Sequence, residues 1–312
     1  MYLGIEIGGT KLQLGLGDGD GVIHALWRAT VVPAEGADGI RRQITLAIPD
    51  LLASAKRDRA ELRGVGIGFG GPVDDATRTV IKSHQIAGWD GFPLADWISE
   101  LVGLPAVLGN DADVAGLAEA LFGAGKGLSP IFYITIGSGI GGGLIINGEI
   151  YRGCGRGAAE IGHLRMPLLA RYVPLEAIAS GWAIQEWARK EMAKSPEGWR
   201  GINPDLSAQD VANAAHAGHA PASYILYRAW TALAEGICQV IALTSPRRIV
   251  IGGGVSLMGE AVLFEPLRKL VAERIFQPFA ECYDIVPATL GEAVVVHGAL
   301  ALAKKRLSEP EA

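Results

Sequence analysis

Two stretches of the chain, residues 3–23 and 132–150, share one order of strand, glycine turn, strand, turn and short third strand. They read LGIEIGGTKLQLGLGDGDGVI and FYITIGSGIGGGLIINGEI, and Glu6 of the first aligns with Thr135 of the second. Asn-Gly between apolar runs, as at residues 147–148, is typical of a β-hairpin. Two glycine-rich hairpins can resemble each other by chance, but we favour a duplicated fold built from two α/β domains.

Helical patterns occupy the chain between and after these stretches. Apolar residues recur at helical spacing over residues 112–122 and 223–243, and the C-terminal GEAVVVHGALALAKKRL predicts a last helix. Strands that alternate with helices indicate an α/β protein with largely parallel sheets in addition to the hairpins.

Composition excludes several classes of protein. The formal net charge of −5 does not fit the basic surface of a nucleic-acid-binding protein. No apolar run reaches the roughly 18 residues of a membrane span. The N-terminal MYLGIEIGG lacks the pattern of a secretory signal, and Cys154, Cys238 and Cys282 form no CxxC pair. We therefore expect a cytoplasmic protein without a disulfide framework, a nucleic-acid partner or membrane contact.

The glycines of residues 137–142, GSGIGG, match the GxGxxG pattern of dinucleotide-binding proteins. That motif requires a helix immediately after the glycines. GLIINGEIYRG follows instead, which predicts a hairpin. The dinucleotide interpretation therefore carries little weight.

Three glycine turns follow predicted strands, at Gly8-Gly9-Thr10, Gly137-Ser138-Gly139 and Gly252-Gly253-Gly254. Consecutive backbone N–H groups beside a hydroxyl can form a concave anion site. Any one of these turns by itself is more simply a tight turn. Two turns in matching positions of a duplicated fold favour a site for the phosphates of a nucleotide. The third turn lies in RRIVIGGGVSLMGE, ahead of a predicted helix, and favours the same site.

Asn110 and Asp111 lie where a predicted strand, PAVLG, leads into the helix of residues 112–122. A helix N-terminus stabilises a negative charge by roughly 0.3–1 kcal/mol, so Asp111 is expected to be ionised at neutral pH. An ionised carboxylate in a fixed orientation can accept the proton of a substrate hydroxyl. The alternative is a helix N-cap, a role that Asn and Asp often take.

Polar side chains in two later segments could bind a polyhydroxylated ligand. Glu160 and His163 lie close together in GCGRGAAEIGHL, and Glu176 lies in VPLEAIASG. A sugar requires hydrogen-bond acceptors and donors of this kind. The alternatives are a hydrogen-bonded polar pair in a loop for Glu160 and His163, and an acid in the first turn of a helix for Glu176.

Eight motifs occur in the order typical of one known family. They are GIEIGGTK, GIGFGGPVD, GWDGFPL, LPAVLGNDADVAGLAE, TIGSGIGGGLIINGEIYRG, AAEIGHL, LEAIASG and IGGGVS. On these motifs the chain resembles the ROK family of sugar kinases over nearly its whole length. The resemblance implies two duplicated actin-like (ribonuclease H-like) α/β domains with a cleft between them. We expect domains at residues 1–109 and 110–295, with the last helix, about residues 296–312, packing back on the first.

The resemblance also implies roles for individual residues. Asp111 would be the base that takes the proton from the attacking hydroxyl. The residues implied to hold the sugar are Asn110, Glu160, His163, Glu176 and Gly71. Those implied to hold the phosphates are Gly8, Gly9, Thr10, Lys11, Thr135, Gly137, Ser138 and Gly139, and Gly253 and Gly254 would line the adenosine.

Two positions depart from the family pattern. Glu6 stands where the relatives usually have Asp, and it would position Mg²⁺ beside the phosphates through water, since Mg²⁺ keeps part of its hydration shell. The simpler interpretation of Glu6 is a polar residue on a solvated sheet face. Many relatives bind structural zinc with the histidine that matches His163 and a following cysteine cluster. LRMPLLARYVP contains no cysteine, so we expect no zinc.

The expected activity is ATP- and Mg²⁺-dependent phosphorylation of a hexose, with glucose 6-phosphate formed from glucose. Three alternatives remain open: an N-acetylhexosamine kinase or fructokinase, polyphosphate as donor, and a sugar- or nucleotide-binding protein without turnover. The resemblance suggests a homodimer. Some relatives are repressors with an N-terminal helix-turn-helix, a role we do not expect because the chain begins directly at the first strand.

Overall fold

The computed structural model describes residues 1–83, 85–168, 170–200, 202–203 and 205–308. These residues form two five-stranded sheets with helices, so the predicted α/β class is confirmed. No helix within these ranges has the length and apolar character needed to cross a bilayer.

Strands and helices are numbered in chain order. The strands are β1 (Tyr2–Ile7), β2 (Lys11–Gly17), β3 (Ile23–Thr30), β4 (Val65–Phe69), β5 (Val73–Asp74), β6 (Thr79–Val80), β7 (Ala106–Asn110), β8 (Ile131–Ile136), β9 (Ile140–Ile146), β10 (Glu149–Ile150), β11 (Arg165–Leu168), β12 (Arg171–Pro174), β13 (Arg248–Gly252) and β14 (Asp284–Pro287). The α-helices are α1 (Gly36–Ala55), α2 (Leu94–Val102), α3 (Asp111–Phe122), α4 (Glu176–Ala179), α5 (Gly181–Lys194), α6 (Ala208–His216), α7 (Ala220–Thr244), α8 (Glu265–Ala272) and α9 (Val294–Leu307).

The chain divides into two compact units. The first comprises Met1–Gly127, Gly143–Ala158 and Thr289–Ala312, and the second comprises Leu128–Gly142 and Ala159–Ala288. This division places α3 in the first unit, whereas the motifs suggested that the second domain begins at residue 110. The predicted domain boundaries stay a prediction.

The sheet of the first unit has the strand order β3-β2-β1-β4-β7. β1 runs antiparallel to β2 and parallel to β4, and β4 runs parallel to β7. Because side chains alternate along a strand, Leu3, Ile5 and Ile7 point to one face, where they join the main hydrophobic core of the unit. Gly4 and Glu6 therefore share the opposite face.

That opposite face is covered by α9, whose Val296 and Leu300 are buried against it. Glycines on the strands allow the helix to approach closely. A Cβ at Gly66 would lie 1.8 Å from the carbonyl oxygen of Ala299, and one at Gly15 would lie 2.5 Å from Val296. Several glycines of the chain thus serve helix–sheet packing, and this packing holds α9 against β1 and β4.

The second sheet has the strand order β10-β9-β8-β13-β14, with β13 parallel to both β8 and β14. Asn147 and Gly148 have φ values of 54° and 74° in the turn between β9 and β10. Two consecutive left-handed residues form the turn that hairpins favour, so the predicted hairpin is confirmed. A strand rather than a helix follows GSGIGG, as predicted, which excludes the dinucleotide-binding motif.

The two predicted interior helices are confirmed as α3 and α7. The apolar stripe predicted for α7 is buried throughout, at Leu226, Ala229, Leu233, Ile237, Val240 and Ile241. The helix predicted after Gly252-Gly253-Gly254 differs from expectation. It begins as a 3-10 helix over Gly254–Met258 and is interrupted at Gly259, whose φ of 79° lies outside the helical range. A π-helix, Glu260–Phe264, then leads into α8.

Candidate active site

The turn between β1 and β2 is formed by Gly8, Gly9 and Thr10. The N–H of Gly8 donates to the carbonyl oxygen of Lys11 at 3.0 Å, which closes the turn. A Cβ at Gly9 would lie 1.5 Å from Oε1 of Gln85, so a larger residue would displace that side chain. The first predicted phosphate turn is therefore closed by a backbone hydrogen bond, with Gly9 packed directly against the Gln85 side chain.

Glu6 lies on the strand that leads into this turn and is only 4% exposed. The simpler interpretation, a polar residue on a solvated face, is therefore wrong, because α9 covers that face. Nε2 of Gln13 donates to Oε2 of Glu6 at 3.0 Å, and Nζ of Lys11 lies 3.1 Å from Oε1. Burial raises the pKa of Glu6 to about 7, although the Lys11 ammonium lowers it, and the Asp111 carboxylate adds to the rise.

The raised pKa of Glu6 predicts a pH-dependent stability. Between pH 4.5, the ordinary pKa of a glutamate, and about pH 7, the raised pKa of Glu6 in the folded protein, the folded protein binds a proton at Glu6 and the unfolded chain does not. This contribution to stability is full below pH 4.5 and is lost as the pH rises through 7. Between about pH 5 and pH 8, we expect the free energy of unfolding to fall by up to ~3 kcal/mol more than in Glu6→Gln. Urea unfolding at both pH values measures this difference, and equal pH dependence in the two proteins would contradict it.

Asp111 is the first residue of α3, and its carboxylate lies beside Gly70. Oδ2 of Asp111 would be 3.4 Å from a Cβ built on Gly70, and the Cα of Gly8 would be 3.5 Å from the same Cβ. Oδ1 accepts from the N–H of Ala112 at 2.8 Å. The structure thus brings Asp111, the first glycine turn and Glu6 into one region of the first unit.

The N-cap of α3 is Asn110, not Asp111. The side-chain oxygen of Asn110 accepts from the N–H groups of Ala112 at 2.9 Å and Asp113 at 3.3 Å. Its Nδ2 donates to the carbonyl oxygen of Gly71 at 3.0 Å. The structure therefore joins Asn110 and Gly71, two residues predicted to bind sugar. That they bind sugar stays a prediction.

Arg152 anchors the start of α3 and was missed by reasoning from sequence. Its guanidinium donates to the buried carboxylate of Asp113, to Asp75 at 3.0 Å and to the carbonyl oxygen of Val73 at 3.3 Å. These contacts tie the first turn of α3, which carries Asp111, to the segment after β4. No local pattern indicates them, because Arg152 follows a hairpin far along the chain.

Glu119 is a second anchor that the sequence did not indicate. It is fully buried near the end of α3. Oε1 accepts from the N–H groups of Thr289 and Leu290, both at 2.9 Å, and Oε2 accepts from the N–H of Ala124 at 2.7 Å. Glu119 therefore holds the chain segment that precedes α9.

That segment also reaches the first glycine turn. The carbonyl oxygen of Glu292 accepts from Nζ of Lys11 at 3.0 Å and from Nε2 of Gln13 at 2.9 Å. Gln13 was also missed, although the hairpin register would have placed it opposite Glu6. Both side chains around Glu6 are thus fixed by the segment that Glu119 holds.

In the second unit, the turn of Gly137 and Gly139 lies against the turn of Gly253. The N–H of Gly137 donates to the carbonyl oxygen of Gly139 at 2.9 Å, and the N–H of Gly181 donates to that of Gly137 at 2.8 Å. A Cβ at Gly253, where φ is 84°, would lie 2.6 Å from the carbonyl oxygen of Ile136. Two of the predicted nucleotide-binding turns are therefore adjacent.

The remaining predicted nucleotide residues border these turns. Thr135 lies near the end of β8 and pairs in register with Gly252 of β13. Ser138 is the central residue of the Gly137–Gly139 turn, and Gly254 begins the 3-10 helix Gly254–Met258. All of them therefore lie at the carboxyl ends of two neighbouring parallel strands.

The predicted sugar-binding residues of the second unit lie in two places. Glu176 begins α4, and its Oε2 accepts from the N–H of Ile140 at 3.4 Å, immediately after the Gly139 turn. Glu160 and His163 are both exposed: Glu160 immediately precedes the short 3-10 helix Ile161–His163, and His163 is its last residue. The N–H of His163 donates to the carbonyl oxygen of Glu160 at 3.0 Å. The structure therefore joins Glu176 to the predicted phosphate turn.

Glu6 has the chemistry of a Mg²⁺ ligand. Mg²⁺ in proteins is typically bound by one or two carboxylates together with phosphates and water. Oε1 of Glu6 already has a cation, the Lys11 ammonium, at 3.1 Å. Across the described part of the chain, no group of three or more His, Cys, Asp or Glu side chains could hold a metal ion. The expected lack of structural zinc stays a prediction.

Comparisons with known proteins agree on one family. The ROK family matches residues 2–306. The glucokinase of Thermotoga maritima is 32% identical over 323 residues, which cover 98% of each chain. A solved ROK family glucokinase from Streptomyces griseus, in complex with glucose and AMPPNP, has a TM-score of 0.80 and 32% identity over 97% of this chain and 99% of its own. The ROK hexokinase from Thermus thermophilus has a TM-score of 0.81 and 26% identity over 96% of both chains. The protein therefore belongs to the ROK family and has the actin-like ATPase fold of its sugar kinases.

Proposed function

We propose that the protein is an ATP-dependent hexose kinase that transfers the γ-phosphoryl group of ATP to glucose, forming glucose 6-phosphate. The observation that carries this proposal is the Asp111 carboxylate at the N-terminus of α3, beside Gly70 and the Gly8 turn. The glucokinase relatives and the glucose and AMPPNP complex of the Streptomyces griseus enzyme support it.

In the proposed reaction, Asp111 accepts the proton of the attacking sugar hydroxyl. The hydroxyl oxygen forms a bond to the γ-phosphorus as the bond to the β,γ-bridging oxygen breaks, and ADP leaves. Phosphoryl transfer depends mainly on positioning and on the neutralisation of charge. Asn110 supplies the N-cap of α3, and the Asp111 carboxylate, which accepts from the N–H of Ala112 at 2.8 Å, would be oriented at the helix N-terminus for this role.

Backbone N–H groups of the glycine turns would bind the phosphates. The proposed phosphate turns are Gly8-Gly9-Thr10 and Gly137-Ser138-Gly139. Lys11 and Thr135 would contribute an ammonium and a hydroxyl, and Gly253 and Gly254 would line the adenosine. Mg²⁺ bound at Glu6 would neutralise charge on the phosphate oxygens.

The proposed sugar-binding groups are acceptors and donors for hydroxyls. They are Asn110, Gly71, Glu160, His163 and Glu176. The exposed positions of Glu160 and His163 leave their side chains accessible to a ligand. We also propose that the protein is cytoplasmic, which the free thiols of its three cysteines support. We further propose that it is a homodimer, which the exposed Tyr224 and Tyr227 on α7 support.

A panel of sugars tests the proposed function. With ATP and Mg²⁺, we expect coupled ADP release to give a kcat/KM for glucose at least about tenfold above those for fructose, N-acetylmannosamine and N-acetylglucosamine. A higher value for one of the other sugars would favour the corresponding family activity. ADP release that no sugar stimulates would contradict the kinase proposal and favour a binding protein.

A further inference from the structure

Gln13 is the direct cross-strand neighbour of Glu6. The two residues are in register in the antiparallel pair of β1 and β2, so their side chains lie on the same face of the sheet. On the next strand, β3, Arg28 is the register partner of Gln13. Glu6, Gln13 and Arg28 thus form a row across three neighbouring strands.

The Gln13 amide has a protein partner at both of its polar atoms. Nε2 donates to Oε2 of Glu6 at 3.0 Å and to the carbonyl oxygen of Glu292 at 2.9 Å. Oε1 accepts from Nε of Arg28 at 3.0 Å. A flip of the amide would set its oxygen against two acceptors and its NH₂ group against a donor. Because Gln13 is 1% exposed, water could not compensate, and the amide has a single orientation.

The two carboxylate oxygens of Glu6 have chemically different partners. Oε2 is bound by the neutral amide of Gln13, whereas Oε1 faces the ammonium of Lys11. A neutral donor orients a carboxylate without cancelling its charge. The Lys11 side chain is 42% exposed, so the Oε1 side is the one that lies toward solvent. The arrangement holds one oxygen in the protein and presents the other to a cation.

We propose that Gln13 is a positioning residue, which holds Oε2 of Glu6 so that Oε1 is presented to the metal–phosphate group. This inference rests on the proposed function, in which Glu6 positions Mg²⁺. A glutamate side chain has three rotatable bonds, and without the Gln13 contact its carboxylate could take other orientations. Loss of the partner that orients a metal-binding carboxylate typically costs 10–100-fold in metal affinity or activity.

Gln13→Met tests this role because it keeps the length of the side chain and removes the amide. By isothermal titration calorimetry, the ratio of ADP affinity with and without Mg²⁺ is expected to fall about tenfold. We expect kcat to fall by a similar factor while the KM for glucose stays within about twofold. The matched control is Gln43→Met, since the Gln43 amide donates to the carbonyl oxygen of Thr30 at 3.3 Å and has no contact with Glu6. It is expected to keep wild-type values.

A double-mutant cycle separates positioning from a merely structural role. In the Glu6→Ala background, Gln13→Met is expected to change the Mg²⁺-dependent ADP affinity and kcat by less than about twofold. Equal losses in both backgrounds, or wild-type values in the single variant, would overturn the proposal. If Gln13→Met does not fold, Gln13→Asn, whose shorter amide cannot reach Glu6 and Arg28 together, is judged by the same criteria.

The Glu6→Ala variant also distinguishes failure of this inference from failure of the proposed function. If Glu6→Ala keeps the full Mg²⁺ dependence, the proposed role of Glu6 is wrong, and the role of Gln13 fails with it. If Glu6→Ala loses that dependence and Gln13→Met keeps it, only the role of Gln13 is overturned.

Discussion

Asp111→Asn is expected to lower kcat by a factor of about 10²–10⁴, the usual effect of removing a general base. Asparagine has nearly the same shape, and its side-chain oxygen can still accept from the N–H of Ala112, as Oδ1 of Asp111 does at 2.8 Å. It cannot accept the proton of the sugar hydroxyl. The KM for glucose is therefore expected to stay within about threefold, because the loss falls on the transition state.

Coupled ADP release at saturating ATP measures this effect. The matched control is Asp50→Asn on the exposed face of α1, which removes one carboxylate from the same unit and should retain full turnover. A purified, folded Asp111→Asn protein that keeps more than about a tenth of wild-type kcat would exclude Asp111 as the base.

Glu119→Gln is expected to lower the free energy of unfolding by about 2–4 kcal/mol. Each carboxylate oxygen of Glu119 accepts from donors, with Thr289 and Leu290 on Oε1 and Ala124 on Oε2. In glutamine, one of these oxygens becomes an NH₂ group that faces a backbone N–H. A buried N–H then loses its acceptor, and no water replaces it because the residue is fully buried.

Equilibrium urea unfolding, followed by far-UV circular dichroism, measures this loss of stability. Glu100→Gln, an exposed acid on α2, is the matched control and should stay within about 0.5 kcal/mol of the wild type. A change of that size or smaller in Glu119→Gln would show that the contacts of Glu119 do not hold the segment before α9. Since this segment supplies the Glu292 carbonyl to Lys11 and Gln13, we expect Glu119→Gln also to weaken the Mg²⁺ dependence of ADP binding.

Most of the secondary structure could be predicted because it depends on neighbouring residues. The turn at Asn147-Gly148 and the apolar stripe of α7 follow from local backbone preference and helical period, and both are as expected. The helix after the third glycine turn is the exception. Gly259 breaks it, and a single glycine within an otherwise helical pattern is a weak signal.

The candidate site was predictable in its parts but not in its assembly. Asp111 and the Gly8 turn were both selected from sequence, and the structure brings them together beside Gly70. The N-cap role was left open between Asn110 and Asp111, and only the side-chain contacts assign it to Asn110.

By itself, the sequence determined the α/β class, the two glycine-rich hairpins, the positions of the main helices and, through its motifs, the family. These features depend on residues close together in the chain or on motifs read in order. Only the tertiary structure decided that Glu6 is buried and which groups hold it, because α9 closes over the sheet from the other end of the chain. Gln13 and Glu292 are 279 residues apart, and Glu119 and Thr289 are 170 apart. Contacts at such separation arise from packing of distant segments, which no local pattern of residues encodes.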